Sequence, residues 1–367
     1  MSDADEPAGA EDADALPADG DAEPHRCDYC RLPIPDTPAL PVTSDREDVT
    51  YEFCSEGCLE AMAEHEHAFT EYHGHRRFDP GVAALRAGLP QGLPRNSFVM
   101  LTDLAGTRSE AIQAELVWRA LQRGEPVVML SFLEPPISLI QQFVTLDWNV
   151  LPYLESGQFH IIDAFTYRLD DRERMFDRMN DWNQHLSAVA EAAVTTVRDP
   201  SETRQLESAL DRCLTELEME DAGIVVIDSL TELGTLVQPV RAYDFVKDVR
   251  AEVCKGRFVP VFAGATMTGA PEGEGFPHDM GYIVDGIVEL RLNDDLVEDA
   301  LIKQIRVRKL NNVLAIPEWH SYEYTSGEGI VLFDPHEEIR KSRGEDGEAP
   351  DEPDVRDPGP ASDAEGG

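Results

Sequence analysis

Between Arg95 and Arg340 the sequence alternates short apolar runs with amphipathic segments of helical period, and this alternation constrains the fold more than any other feature. Continuous apolar runs bounded by polar residues or glycine are typical of strands buried on both faces. Alternating with helices, such strands predict an α/β fold with a mostly parallel sheet and helices on both faces. The predicted strands are Phe98–Leu101, Val127–Phe132, Phe159–Ile162, Ile224–Asp228, Phe258–Phe262 and Ile287–Leu290.

The pattern changes after the last of these strands. Three runs joined by short polar stretches predict a terminal antiparallel section at Ile302–Leu310, Glu318–Tyr324 and Gly329–Phe333. The helices predicted before it are Ser109–Arg123, Ile137–Leu146, Glu202–Leu217 and Val240–Cys254. Glycine and proline are frequent in residues 79–94, which are therefore predicted to be a linker between this domain, residues 95–340, and a smaller one, residues 25–78.

The chain is strongly acidic, with 31 Lys plus Arg against 72 Asp plus Glu and a net charge of −41 over 367 residues. Residues 1–24 and 341–367 are acidic and contain little to bury, so they are predicted to be disordered tails. No apolar run is long enough to cross a membrane and no apolar signal segment opens the chain, so we expect a cytoplasmic protein. No basic stretch offsets the negative charge, and direct binding of nucleic acid is not expected.

Composition also bears on the solvent in which the protein works. Only five of the 31 basic residues are Lys, and the rest of the chain keeps −25 once the −9 of residues 1–24 and the −7 of residues 342–367 are set aside. Self-repulsion of this size destabilises a compact state in dilute buffer, whereas molar salt shortens the Debye length to about 3 Å. The composition resembles that of proteins from salt-loving archaea.

Four of the six cysteines lie in residues 25–78, in two closely spaced pairs. Cys27 and Cys30 form a CxxC pair that a tight turn directs to one point, and Cys54 and Cys58 form a CxxxC pair at the start of a predicted helix. Four thiolates at tetrahedral positions are the closed structural site that Zn²⁺ prefers. Two disulfides are the alternative, and a reducing compartment disfavours them.

This small segment resembles the treble-clef metal-binding modules called TRASH domains. The resemblance rests on the same four cysteines and on Tyr51 and Phe53 before the second pair. It implies metal sensing or trafficking, with Zn²⁺ or a copper-like ion as the ligand. His65, His67, His73 and His75 follow, and we interpret them as a solvated helix face and its end rather than as a second metal site.

The larger domain opens with a strand, a loop and a helix, which is where a phosphate-binding loop with the pattern GxxxxGK[ST] stands. Thr102 and Thr107 occupy the two glycine positions, Arg108 replaces the lysine, and only Ser109 matches the pattern. A Cβ atom at Thr107 hinders the close backbone approach to phosphate that glycine permits. The residues that could contact a nucleotide here are Gly106, Thr107, Arg108 and Ser109.

The order of the remaining segments resembles the RecA-superfamily ATPases of the KaiC and Rad55-like type. Asp228 ends an apolar strand and matches the Walker-B acid, which would hold Mg²⁺, while Glu134 matches one of the family's two paired glutamates. Lys309 matches the lysine that a neighbouring subunit supplies to the γ-phosphate, but the arginine two positions later is Asn311. The resemblance extends to degenerate haloarchaeal proteins described as transducer-like, and it implies possible ATP and Mg²⁺ as cofactors and assembly with copies of the same chain.

An intact cysteine set beside a damaged phosphate loop suggests a metal-sensing regulatory or adaptor protein that acts on a protein partner and is not an enzyme. Two alternatives remain open. The first is an active Mg²⁺-dependent ATPase of the KaiC and Rad55-like type with an accessory zinc module. The second is a metal chaperone in which the RecA-like domain is a scaffold.

Overall fold

The computed structural model divides the chain into two compact units, Met1–His73 and Gly74–Gly367. The described residues are 26–30, 32, 34, 40–43, 50–65, 76–169, 192–267, 276–297 and 300–342. The predicted tail at residues 1–24 lies outside them. So does the predicted tail at residues 341–367 from residue 343 onward, whereas its first two residues end a helix instead.

The smaller unit contains an antiparallel hairpin followed by one helix. Strands β1 (Leu40–Thr43) and β2 (Thr50–Phe53) pair, and α1 (Glu56–His65) begins three residues after β2. Phe53 is buried, and the Ser55 hydroxyl accepts a hydrogen bond from the backbone N–H of Cys58 at 3.2 Å, which caps the first turn of α1. The hairpin and the helix start therefore fix the positions of both cysteine pairs.

The larger unit is built on a ten-stranded sheet. The strands of the sheet are β5 (Phe98–Asp103), β6 (Val127–Ser131), β7 (Phe159–Asp163), β8 (Val194–Thr196), β9 (Ile224–Asp228), β10 (Val261–Thr266), β11 (Gly286–Asn293), β12 (Ile302–Leu310), β13 (His320–Thr325) and β14 (Gly329–Leu332). Their order in the sheet is β14-β13-β12-β11-β5-β10-β9-β6-β7-β8. The pairs from β11 to β8 are parallel, and those from β11 to β14 are antiparallel.

Helices cover the sheet, and a short hairpin of β3 (Arg77–Phe78) and β4 (Leu93–Pro94) precedes it. The helices are α2 (Ala83–Gly88), α3 (Ser109–Gln122), α4 (Pro136–Thr145), α5 (Leu151–Glu155), α6 (Thr203–Glu216), α7 (Leu230–Leu236), α8 (Pro239–Val249) and α9 (Pro335–Ser342). A π-helical turn at Arg250–Gly256 extends α8, and 3₁₀ turns lie at Thr166–Arg168 and His278–Tyr282. No helix in the described part of the chain has both the length and the apolarity needed to span a bilayer.

The predicted α/β fold class, with its mostly parallel sheet and terminal antiparallel section, is confirmed. Val99 and Leu101 of β5 belong to the apolar cluster that includes α3, whereas Phe98 and Met100 belong to the cluster that includes α6 and α8. Because the strands are buried on both faces of the sheet, their sequences are continuous apolar runs.

The strand predicted at Phe258–Phe262 begins instead at Val261. Phe258 has φ = 54°, in the left-handed region, and Pro260 has no N–H to give to a ladder. Both features delay the start of β10.

The prediction of a linker at residues 79–94 is wrong. Val82, Leu85, Leu89 and Leu93 are all at most 2% exposed and belong to the main apolar cluster. Val82, Leu85 and Leu89 are spaced three and four residues apart and so lie on one side of α2 and its two caps, whereas Leu93 lies in β4. The glycines and prolines of this segment shape turns around a core helix, as at Gly92 with φ = 77°.

Candidate functional site

The four cysteine sulfurs of the smaller unit lie within 4.8 Å of one another. The Sγ atoms of Cys30 and Cys54, and those of Cys54 and Cys58, are 3.7 Å apart. A tetrahedral zinc site with Zn–S bonds of about 2.3 Å places its sulfurs about 3.8 Å apart. The spacing fits four thiolates around one cation and excludes S–S bonds in these pairs, and all four cysteines are free.

Backbone hydrogen bonds fix the first cysteine pair against β2. The N–H of Cys27 donates to the carbonyl of Leu32, the N–H of Asp28 donates to the carbonyl of Glu52, and the N–H of Glu52 donates to the Asp28 carboxylate at 2.7 Å. Burial raises the pKa of the Cys27 thiol, but the backbone N–H groups around it outweigh burial and lower that pKa to about 7. The turn therefore stabilises a thiolate, the form that binds metal.

Burial and crowding also act on two other thiols of the cluster. Burial and the neighbouring thiols raise the pKa of Cys30 to about 12, and burial raises that of Cys58. A soft divalent cation would remove this repulsion. No second cluster of potential metal ligands occurs among the described residues, and His67, His73 and His75 lie outside them.

A cavity of about 600 Å³, here called the loop cavity, lies at the carboxyl ends of the central parallel strands. This is where ligands bind in open α/β sheets. Of the residues predicted to contact a nucleotide or Mg²⁺, the structure brings together those that line this cavity, namely Gly106, Arg108, Ser109, Glu134 and Asp228. Thr107 and Lys309 do not line it.

The hydrogen bonds of Thr107 are used within the loop itself. Its N–H and its hydroxyl both donate to the carbonyl of Leu104, at 3.1 and 2.8 Å, and its own carbonyl accepts from the Tyr322 hydroxyl at 2.6 Å. In a phosphate-binding loop, N–H groups of this region face the phosphates. The N–H of Thr107 is committed to a tight turn, and Tyr322 of β13 fixes that turn.

Asp103, the last residue of β5, is a site residue that the sequence interpretation missed. Its Oδ2 atom accepts a hydrogen bond of 2.5 Å from the Ser109 hydroxyl, the group that would otherwise hold Mg²⁺. Asp103 is 7% exposed, and its Oδ1 atom is buried without a hydrogen-bond partner in the described part of the chain. Its position directly after Thr102, second in the eight-residue loop pattern, is the sequence feature that indicates a place in the site.

The loop cavity is electrostatically negative. Arg108, with φ = 60° at the start of α3, is the cation that lines it, against Asp103, Glu110, Glu134 and Asp228. Burial, followed by the charges of Glu134, Glu110 and Asp103, raises the pKa of Asp228 to about 6. The carboxylates therefore repel one another as they stand.

Lys309 has a structural role within its own chain. Its ammonium donates to the carbonyls of Gly281 and Val284, each at 2.8 Å. These bonds join β12 to the 3₁₀ turn before β11.

Three comparisons bear on this architecture. A sequence profile described as "ATPase: KaiC" matches residues 78–337, and one described as "MYM-type Zinc finger with FCS sequence motif" matches residues 22–61. The letters FCS correspond here to Phe53, Cys54 and Ser55.

Relatives that carry the name UPF0273 protein include one from Thermotoga maritima and one from Pyrococcus horikoshii. That of Thermotoga maritima is 26% identical over 262 residues, covering 70% of this chain and 96% of the relative. That of Pyrococcus horikoshii is 23% identical over 258 residues, covering 70% and 94%. The crystal structure of a KaiC-like protein from Pyrococcus horikoshii superposes with a TM-score of 0.53 at 16% identity, covering 71% of this chain and 99% of the other, and so shows the shared fold.

Proposed function

The chain belongs to the KaiC ATPase family, and from that premise we propose that it is a metal-responsive regulatory or adaptor protein whose family domain no longer turns over ATP. The proposal gives the two units separate roles. The larger unit keeps the family fold as a scaffold for a protein partner. The smaller unit, a zinc module, makes the protein's state depend on metal.

The hydrogen bond between Asp103 and Ser109 is the single observation that carries the proposal. In this family's chemistry the loop hydroxyl helps to hold the Mg²⁺ that neutralises phosphate charge. Here the Asp103 carboxylate accepts a hydrogen bond from that hydroxyl, on Ser109, and adds a negative charge to the loop. A triphosphate entering the loop cavity would meet the Asp103 and Asp228 carboxylates before any cation had offset its own charge.

The turn at Thr107 adds to this argument. An N–H that donates to Leu104 is unavailable to phosphate unless the turn opens, and opening it also breaks the bond from Tyr322. Phosphoryl transfer depends on positioning and on charge stabilisation, and one missing arginine finger alone costs about 10³–10⁵ in rate. Lost donors and added carboxylates both reduce that stabilisation.

The cysteine cluster supports the metal-responsive part of the proposal. Metal binding and folding are coupled in small units of this kind, because the metal site forms only in the folded state and the binding free energy therefore stabilises that state. A change in metal supply would therefore change the folded population of the smaller unit. Zinc is the metal that the cysteine set and the matched zinc-finger profile favour.

A second candidate function is Mg²⁺-dependent ATP hydrolysis. One observation favours it, namely that Arg108, Ser109, Glu134 and Asp228 all line one cavity of nucleotide size. In that case nucleotide binding would rearrange Asp103 and release the Ser109 hydroxyl.

Turnover and binding of ATP by the full chain, with Mg²⁺ and in concentrated KCl, separate the two functions. We expect no turnover above that of Asp228→Asn, and nucleotide affinity that rises at least tenfold when Asp103→Gly, Thr107→Gly and Arg108→Lys are combined. Asp244→Asn, on an exposed part of α8, is the matched control. Hydrolysis by the unmodified chain that Asp228→Asn abolishes would establish the ATPase instead.

A further inference from the structure

A second cavity, of about 530 Å³, lies beside the loop cavity and is here called the arginine cavity. Its lining includes Met100, His278, Arg291, Arg308 and Trp319. Asp103 lines both cavities and so lies between them. Nothing in the nucleotide chemistry of the loop uses this second space.

Arg291 is held rigidly at the wall of the arginine cavity. Its guanidinium lies 3.9 Å from the centre of the Trp319 ring, and Arg306 lies 4.3 Å from the same centre. The Nε and Nη2 atoms of Arg291 donate to the Gln304 amide oxygen at 3.0 and 2.8 Å, and Gln304 is only 5% exposed. Stacking and one hydrogen-bonded edge leave the outer edge of the guanidinium, formed by Nη1 and Nη2, available as a donor pair.

The charges around this edge do not balance. Arg306 donates to Glu289 through Nε at 2.7 Å, and Arg308 donates to the same carboxylate through Nη1 at 2.7 Å. Arg291 has no carboxylate partner among the described residues, where its acceptor is the neutral Gln304. Arg291, Arg306 and Arg308 are set against two carboxylates, those of Glu289 and of Asp103, so the arginines exceed the carboxylates by one on a chain whose net charge is −41.

The strand register produces this concentration of cations. Glu289 stands opposite Arg306, and Arg291 stands opposite Gln304, so these four side chains share one face of the β11–β12 ribbon. Val288 and Leu290, the alternate residues of β11, are buried in the apolar cluster on the other face. The cavity wall is therefore fixed by the same alternation that builds the core.

We propose that the arginine cavity binds a small ligand bearing a phosphate group, with the outer edge of Arg291 as the bidentate donor and Arg308 as the second cation. A planar guanidinium with two parallel N–H donors matches the geometry of phosphate oxygens. Stacking on Trp319 fixes the orientation of Arg291 before binding, which lowers the entropic cost of the contact. The volume is in the range of small-molecule sites, about 300–1,000 Å³.

The arginine cavity is separate from the loop cavity, so this proposal does not depend on the proposed loss of ATP turnover. Among the described residues, four carboxylates line the loop cavity with Arg108 as the one cation, whereas around the arginine cavity three arginines face two carboxylates, those of Glu289 and Asp103. A phosphate group that avoids the first cavity is attracted by the second.

Binding of pyrophosphate to the full chain, measured by titration calorimetry, tests the proposal. We expect one molecule bound per chain and an affinity that falls about 10- to 100-fold in Arg291→Gln, the range for losing charged hydrogen bonds. Arg291→Lys keeps the charge but not the fork, so we expect it to recover only part of the affinity. Arg308→Gln, at a residue whose side chain is 60% exposed, weakens binding without disturbing the stack on Trp319.

Two further variants assign the site. Arg108→Gln removes the cation of the loop cavity, and Arg212→Gln removes an exposed arginine of α6 that lines neither cavity; both are expected to bind pyrophosphate like the unmodified chain. No binding at all, or binding that Arg291→Gln and Arg308→Gln leave unchanged, would overturn the proposal. So would binding that Arg108→Gln abolishes, because the loop cavity would then be the phosphate site.

Discussion

The raised pKa of Asp228 makes a quantitative prediction about stability. Asp228 is 9% exposed, and its pKa in the folded chain is about 6 against an ordinary value of 3.8. A folded pKa above the unfolded one means that the contribution to stability is complete below pH 3.8 and is lost as the pH rises through 6. A pKa raised from 3.8 to about 6 corresponds to roughly 3 kcal/mol of free energy.

Asp228→Asn keeps the shape of the side chain and removes this titration. We expect the variant's advantage in the free energy of unfolding over the unmodified chain to grow by up to about 3 kcal/mol from pH 4 to pH 8. The reason is that the buried carboxylate, which forms as the pH rises, is the destabilised form. For a domain of this size the gain corresponds to a rise of roughly 6–12 °C in Tm. Unfolding is followed by circular dichroism in urea at both pH values and constant salt.

Asp244→Asn controls for the general loss of one negative charge. Asp244 is exposed and pairs with Lys247 at 3.4 Å, a surface pair worth little. The pH-dependent gain is expected in Asp228→Asn alone. A variant whose advantage over the unmodified chain is equal at pH 4 and pH 8, or one that is less stable at pH 8, would refute the reasoning.

Four other outcomes follow from the structure. Cys54→Ser should reduce bound zinc, measured by elemental analysis, well below one per chain, whereas full retention would count against the cluster. Asp285→Ala should cost about 3 kcal/mol in urea unfolding, because Asp285 accepts from Arg250 at 2.7 Å and Lys255 at 3.1 Å; a loss under 1 kcal/mol would contradict this. Leu85→Ala should cost about 2–5 kcal/mol if α2 belongs to the core, and almost nothing if it were a linker. Raising KCl from 0.1 to 2 M should raise the free energy of unfolding of a chain with net charge −41, and a flat or falling dependence would argue against a high-salt protein.

The sequence predicted well whatever depends on residues close together along the chain. Continuous apolar runs identified the central strands because both faces of the sheet are covered. The cysteine pairs predicted a converging cluster because CxxC and CxxxC spacing sets the direction of two sulfurs within one turn. The prediction failed for residues 79–94 because glycine and proline occur in linkers and also in turns around a helix. The spacing of Val82, Leu85 and Leu89 is that of a helix.

The chemistry of the two cavities depends on contacts between residues far apart in sequence. Asp228 is brought beside Asp103 by strand order, since β10 alone separates their strands in the sheet. Arg291 of β11 and Arg306 of β12 both stack on Trp319, which lies just before β13. The pairing of β11 with β12 also shifts register between Ile287 and Val288. Strand alternation places Glu289 and Arg291 on one face of β11, but no spacing along the chain reveals that Trp319 lies against Arg291 and Arg306.

The positions of the charges give the two cavities opposite properties. A phosphate-binding loop concentrates N–H donors and one lysine at a helix start. Here Asp103 accepts a hydrogen bond from the Ser109 hydroxyl of the loop, and the N–H of Thr107 donates to the carbonyl of Leu104. Guanidinium donors instead line the neighbouring cavity, through Arg291 and Arg308. Because Asp103 lies between the cavities, replacing it with glycine should strengthen phosphate binding in the loop cavity far more than in the arginine cavity, where the donors are already in place.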